Sequence, residues 1–98
     1  MAKTARVGDK AQGTDVCVSP PQPATGEIVQ GSSDVFVNGK KVARVGDEGI
    51  TSFGNTFTIA SGSSSASANG KQVARVGDPT TGCLDGTIVE GSPDHSTG

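Results

Sequence analysis

The chain has 98 residues, a formal net charge of -2, and three aromatic residues, all Phe. This length predicts one domain that buries about 60–65% of its unfolded surface. With so few aromatic residues, the core would consist of Val, Ile and Ala, which favours narrow sheets over a roomy ligand pocket. The absence of a basic patch argues against nucleic-acid binding, and no apolar run approaches the roughly 18 residues of a membrane span. Residues 1–6 lack the apolar stretch of a secretory signal, so we expect synthesis in the cytoplasm.

The string Ala-Arg-Val-Gly-Asp occurs three times, at residues 5–9, 43–47 and 74–78. A short chain that repeats one phrase is built from internal copies. Each copy ends a longer unit, which reads Ile-Val-x-Gly-Ser, a short strand, Asn-Gly-Lys and a second strand. The repeats therefore predict an all-β domain of short hairpin units.

Two of these units are complete, at residues 26–47 and 57–78. The chain also begins with the second half of a unit, residues 1–9, and ends with the first half of one, residues 86–98. Pairing of the two halves would make a third unit, close a pseudo-threefold ring and remove free sheet edges. We therefore expect residues 1–98 to form a single domain with pseudo-threefold symmetry.

The strongest local signal is a β-hairpin over residues 35–45, whose turn is Asn38-Gly39. Both residues tolerate the positive φ of a type I′ turn, and Asn69-Gly70 repeats the signal in the next unit. The segments between the units are expected to be loops that gather at one end of the threefold axis. The first of them is the longest and carries Cys17 and a Pro-rich run at residues 19–23.

The phrase Asn-Gly-Lys-x-x-Ala-Arg-Val-Gly-Asp, preceded by Ile-Val-x-Gly-Ser, resembles the repeat of the PAAR family, with residues 41–44 and 72–75 in place of Pro-Ala-Ala-Arg. This resemblance implies a conical all-β protein that sits, one copy per trimer, on the trimeric β-helical spike of a contractile injection machine. Such machines include type VI secretion systems and contractile phage tails. The protein would be their sharpened tip and would meet the target cell envelope during puncture.

The resemblance also implies a metal near the apex, usually zinc, with iron as an alternative. The candidate ligands are Cys17, Cys83 and His95, the only Cys and His residues of the chain. A structural zinc site takes four N or S ligands, so Asp15, Asp94 or water would complete the set. Other interpretations stay open: the cysteines could be buried thiols or a disulfide, and His95 a solvated residue near the chain end.

The repeated arginines and aspartates allow two interpretations. In the structural one, each Asp accepts backbone N–H groups at a turn and each Arg pairs with a carboxylate or carbonyl. In the functional one, the arginines form a threefold set that meets the spike trimer. The residues concerned are Arg6, Arg44, Arg75, Asp9, Asp47 and Asp78.

The sequence offers no set of nucleophile, base and orienting group, so we expect no enzymatic activity. The prediction is a mechanical role in a virion tail or injection apparatus. A small interaction module that binds a protein or glycan through its apical loops is the alternative. A metal-dependent enzyme with an open coordination position is a third class, disfavoured because a ring of short hairpins leaves little room for a cleft.

Overall fold

The computed structural model describes residues 2–98, and within that range the chain is all-β, without a helix. Met1, the first residue of the predicted third unit, lies outside this range. The strands are β1 (Ala2–Lys3), β2 (Lys10–Asp15), β3 (Gln22–Ile28), β4 (Phe36–Val37), β5 (Lys40–Lys41), β6 (Glu48–Thr51), β7 (Thr56–Ile59), β8 (Ser67–Ala68), β9 (Lys71–Gln72), β10 (Thr80–Gly82), β11 (Leu84–Ile88) and β12 (Ser96–Thr97). The predicted all-β class is confirmed.

Six strands form one antiparallel sheet in the order β10-β7-β6-β3-β2-β11. Its two edge strands, β10 and β11, follow each other in the chain and approach through a bridge between Pro79 and Thr87. The Thr80 hydroxyl also donates to the Leu84 carbonyl over 2.7 Å. The sheet therefore nearly closes on itself, which leaves little unpaired edge.

The interior of this sheet is narrow and is filled by one aromatic ring. Phe57 is fully buried and packs with Leu84, Ala11 and Ala24. A Cβ at Gly26 or Gly49 would collide with the Phe57 ring, so glycine at those two positions lets the strand backbones lie directly against it.

Three two-stranded hairpins lie beyond one end of the sheet: β4–β5, β8–β9 and β1–β12. The third joins the two chain ends, with Ala2 opposite Thr97. The predicted closure of the third unit is thus confirmed. The two Asn-Gly turns also form as predicted, since Asn38 and Asn69 have φ values of 56° and 55° and each is followed by a positive-φ glycine.

A ring of three backbone hydrogen bonds marks the pseudo-threefold axis. The amide of Ala5 donates to Ala74, that of Ala74 to Ala43, and that of Ala43 to Ala5, over 2.9 to 3.0 Å. These alanines are fully buried and pack with Ile28, Ile59 and Ile88 in one cluster. A small side chain is required here because three backbones converge on one axis.

The segments between the units are strands, and the sequence expectation of loops was wrong for most of their length. They supply β2, β6 and β10 in full, most of β3, and the first residues of β7 and β11. The period-2 pattern is present in β3, where exposed and buried residues alternate, but its buried positions hold Ala, Gly and Ile. When the inward positions of a strand hold small residues, the sequence lacks the alternation of large apolar and polar residues by which a strand is recognised.

The molecule is elongated, with principal extents of 37 × 24 × 21 Å. We call the end that carries the three turns, at residues 16–21, at residues 52–55 and at Cys83, the apical end. We call the end formed by the β4–β5, β8–β9 and β1–β12 hairpins the hairpin end. Residues 2–98 contain no helix that is long and apolar enough to cross a membrane.

Candidate functional site

The two cysteines meet at the apical end as a disulfide. Their Cα atoms are 5.1 Å apart although 66 positions separate them in the chain. The bond joins the turn after β2 to the turn between β10 and β11, and the Val16 amide donates to the Cys83 carbonyl beside it, over 2.9 Å. Of the interpretations that the sequence left open for Cys17 and Cys83, the structure contains the disulfide.

A buried carboxylate links the same region to the turn between β6 and β7. Asp15, at the end of β2, has no exposed surface. It accepts hydrogen bonds from the Thr51 hydroxyl at 2.7 Å, the Asn55 amide at 3.0 Å and the Cys17 backbone N–H at 2.8 Å. The disulfide and Asp15 together tie all three apical turns, and we call Asp15, Cys17, Thr51, Asn55 and Cys83 the apical knot.

The charge of Asp15 is maintained by its donors. Burial raises the pKa of this carboxyl group, but hydrogen bonds from Thr51, Asn55 and the backbone N–H groups of Cys17 and Val18 outweigh burial and lower the pKa overall. The group is therefore a carboxylate at neutral pH. No buried side-chain N or O atom in the described part of the chain lacks a hydrogen-bond partner.

The predicted metal ligands are not assembled into a site. Zinc takes thiolate ligands, and the two sulfurs are bonded to each other. His95 lies at the hairpin end, where its Nδ1 forms a 2.7 Å hydrogen bond with the Thr4 hydroxyl, and Asp94 accepts from Asn38. Within residues 2–98, no group of three or more His, Cys, Asp or Glu side chains is placed to hold a metal ion. These residues do not fit a zinc or iron site while the disulfide is intact.

The Thr4–His95 contact does not form a catalytic pair. The Thr4 residue is 1% exposed, and its hydroxyl also contacts the Thr97 hydroxyl. A substrate has no access to a nucleophile buried in this way, and among the described residues no carboxylate is hydrogen-bonded to the imidazole. The contact is a polar packing element of the third unit.

Each repeated arginine pairs with the aspartate three residues later. Arg6 Nη2 lies 2.9 Å from Asp9 Oδ1 while its Nε donates to Oδ2, and the same carboxylate accepts the Arg6 backbone N–H. Arg44–Asp47 and Arg75–Asp78 repeat this geometry. The hydrogen bond to the aspartate is the largest cause that raises the pKa of each arginine. Each pair is thus a local clamp on the Gly-Asp corner, as the structural interpretation expects, and the functional interpretation stays a prediction.

Asn38 and Asn69 connect two of these Arg–Asp pairs to neighbouring units. The sequence placed both asparagines in turns and did not indicate this second role. Arg6 Nη1 donates to Asn38 Oδ1 and Arg44 Nη1 to Asn69 Oδ1, each over 3.0 Å. Asn38 and Asn69 in turn donate to Asp94 and Asp34. The left-handed conformation of each Asn directs its side chain towards the neighbouring unit.

The third unit departs from the other two on the axis side of the hairpin end. The first two hairpins contribute an apolar cluster of Val37, Val42, Ala68 and Val73. In the β1–β12 hairpin, Thr97 stands at the position of Val37 and Ala68, and Thr4 at that of Val42 and Val73. The Thr4 hydroxyl is hydrogen-bonded to Thr97 and to His95. The backbone of the hairpin end therefore has pseudo-threefold symmetry, whereas its side chains near the axis are apolar in two of the three hairpins and polar in the third.

Comparison with known families gives one finding that covers nearly the whole chain. The model of the family described as PAAR motif matches twice, at residues 2–52 and 51–98. No curated protein matches the chain.

Proposed function

Because the chain belongs to the PAAR-motif family, whose members are associated with the spike tips of contractile injection systems, we propose that it is such a tip. It caps the trimeric β-helical spike of a phage tail or a type VI secretion system with one copy per trimer. Incorporation into the particle would bring it to the target cell envelope. Its role is mechanical: it covers the open strand ends of the spike and narrows the particle to a point.

One observation carries this proposal, the threefold ring of hydrogen bonds among Ala5, Ala43 and Ala74. A trimer presents three equivalent strand ends around its axis, and only a surface with matching symmetry meets all three alike. The hairpin end provides this surface because three equivalent hairpins surround the axis there. A monomer that imitates threefold symmetry has little use for it in binding an asymmetric partner.

The apical end suits the opposite role, that of the leading point. The nearly closed sheet ends in three turns, and the apical knot ties these turns by a covalent bond and a buried carboxylate. The core behind them is thin, since Phe57 is its only buried aromatic residue in the described chain. Cross-links at the apex compensate for this thin core under a compressive load.

The proposal is tested by titrating the cognate spike trimer with variants of the two ends in a calorimeter. Val35 lies at the hairpin end and Phe53 in the apical turn at residues 52–55, and they are 38% and 50% exposed. Val35→Asp is expected to weaken binding, because a carboxylate at a packed interface loses its hydration. Phe53→Asp is the matched control and is expected to bind like the unmodified chain.

The reverse pattern contradicts the proposal. If Phe53→Asp abolished binding while Val35→Asp had no effect, the partner would be held by the apical turns. This result would support the alternative function, a small interaction module that binds a protein or glycan through those turns.

A further inference from the structure

The outer face of the β4–β5 hairpin carries an apolar groove. Successive side chains of a strand lie on opposite faces, so Phe36 lies on the face opposite to Val37, which is buried in the cluster near the axis. Phe36, Val29 and Val7 line an open groove of about 370 Å³. Phe36 and Val29 are 53% and 47% exposed, so the groove is shallow. It lies on the side of the molecule, away from the threefold axis.

Lysine side chains border this groove. Lys40 and Lys41 line it directly, and the two adjoining grooves add Lys3 on one side and Lys71 on the other. Within residues 2–98, none of these four lysines takes part in an ion pair. The arginines of the adjoining grooves are paired with their aspartates, and Glu90 is the one further carboxylate there. This side is therefore positive, although the net charge of the chain is -2.

The other two units do not repeat the groove. Ser67 and Ser96 take the place of Phe36 in the strand pairs of the other two hairpins. Ala60 takes the place of Val29 in the second complete unit. The three units are thus alike in backbone, but only the first presents an aromatic side chain between lysines. A partner that needs this groove binds once per chain.

The size and shape of the groove favour a linear protein segment as its ligand. Small-molecule sites enclose about 70–90% of the ligand surface, which a shallow groove does not do. A folded partner contacts about 20–30 residues on each side of an interface, far more than this groove provides. An extended segment needs only a place for one apolar side chain and charged groups beside it.

We propose that this groove binds an extended acidic segment of a second protein. One large apolar side chain of the segment contacts Phe36, and carboxylates on either side of it pair with Lys40 and Lys41. Phe36 is the anchor, because a few buried aromatic contacts carry most of the energy of a small interface. The lysines speed association and select for acidic segments, and their effect falls as salt is added.

This proposal does not depend on the spike-tip function. Because the groove lies away from the axis, the segment and the spike trimer can be bound at the same time. Anionic lipid headgroups would also attract four lysines. A bilayer surface is flat, however, and would leave the concave groove beside Phe36 unfilled.

The test selects ligands for the full-length chain from a library of short linear peptides of random sequence. The enriched peptides are expected to carry Asp or Glu on both sides of Leu, Ile or Phe. One such peptide is labelled with fluorescein and titrated by fluorescence anisotropy. Phe36→Ser introduces the residue of the other two units and should weaken binding by about tenfold or more. Phe53→Ser removes a similarly exposed Phe at the apical end and should leave binding unchanged.

A gain of binding provides a second measurement. The variant Ala60→Val/Ser67→Phe/Gln72→Lys rebuilds the groove in the second complete unit, where Lys71 already stands at the position of Lys40. This variant should bind two peptides per chain instead of one. Thermal unfolding of each variant shows whether its fold is intact.

Several results would overturn the proposal. These are a selection without acidic peptides, equal binding of the selected peptide to Phe36→Ser, and a rebuilt variant that still binds one peptide. Binding of phosphatidylserine vesicles that is lost in Phe36→Ser would assign the groove to lipid instead. Displacement of the peptide by the spike trimer would assign it to the spike interface. The spike-tip function itself is contradicted only if the unmodified chain fails to bind the trimer, so the two proposals fail separately.

Discussion

Removal of the disulfide is predicted to cost a large part of the stability of this small domain. The double variant Cys17→Ser/Cys83→Ser keeps the hydrogen bonds of Asp15 and removes only the covalent bond. The closed loop spans 66 positions, for which the chain-entropy relation gives about 4 kcal/mol of stabilisation at 25 °C. A domain of this length loses about 4–8 °C in Tm per kcal/mol, so Tm should fall by roughly 20 °C.

The assay is thermal unfolding followed by far-ultraviolet circular dichroism, because the chain has no Trp to report on unfolding. Dithiothreitol provides the internal control. It should bring the Tm of the unmodified chain down to that of the double variant and leave the variant itself unchanged. A Tm of the double variant within a few degrees of the unmodified chain would refute the reasoning.

A chelator distinguishes the covalent account from the metal that the family resemblance implies. If the disulfide holds the apical turns together, a zinc chelator leaves the Tm of the oxidised protein unchanged. A fall in Tm with chelator, restored by added zinc, would show that Cys17 and Cys83 act as metal ligands.

Three further predictions concern the apical knot, the acidic residues and the sheet interior. Asp15→Asn should lower Tm more than Asp85→Asn, because only Asp15 is buried among donors; equal shifts would contradict the knot. The pKa of Asp15 is lowered because its hydrogen-bond donors outweigh the effect of burial. The pKa values of Asp34 and Asp94 are also lowered, and the largest cause is the side-chain hydrogen bond from Asn69 to Asp34 and from Asn38 to Asp94. A depressed folded-state pKa contributes stability above the unfolded value of about 4, so Tm should hold near neutral pH and fall as pH drops from about 4 through the folded-state values. A Tm independent of pH between about 5 and 2 would exclude these carboxylates as contributors. Gly49→Ala should destabilise by about 1–3 kcal/mol in urea unfolding, because the new methyl group meets the Phe57 ring; an unchanged midpoint would mean that the ring has room to move.

The repeats allowed the hairpins to be predicted because the relevant signals are local. Asn38-Gly39 and Asn69-Gly70 determine their turns through the φ values that Asn and Gly tolerate. The closure of β1 on β12 was also predictable, since the two half-units at the chain ends are complementary.

The six-stranded sheet was not predictable by the same means. Its strands carry Gly13, Gly26, Gly49 and Gly86 at positions of close approach, and glycine in a strand weakens every sequence signal for that strand. The arrangement becomes favourable only when the strands meet around Phe57, which is a tertiary effect.

The candidate site was predictable in part. The family resemblance grouped Cys17 and Cys83 near the apex as metal ligands, and the choice among metal ligands, buried thiols and a disulfide depended on a geometry that the sequence does not contain. Asp15 had been considered only as a fourth metal ligand. Its partners Thr51 and Asn55 lie 36 and 40 positions away, so no local pattern connects them.

The most direct test of the central claim is the stoichiometry of the complex with the cognate spike. The purified chain is mixed in excess with the C-terminal β-helical trimer of that spike, and the mass of the complex is measured by light scattering after size exclusion. One copy of the chain per trimer is the predicted result, because a pseudo-threefold monomer occupies the whole end of the trimer. Three copies per trimer, or no complex with a folded trimer, would contradict the claim that this protein is a spike tip.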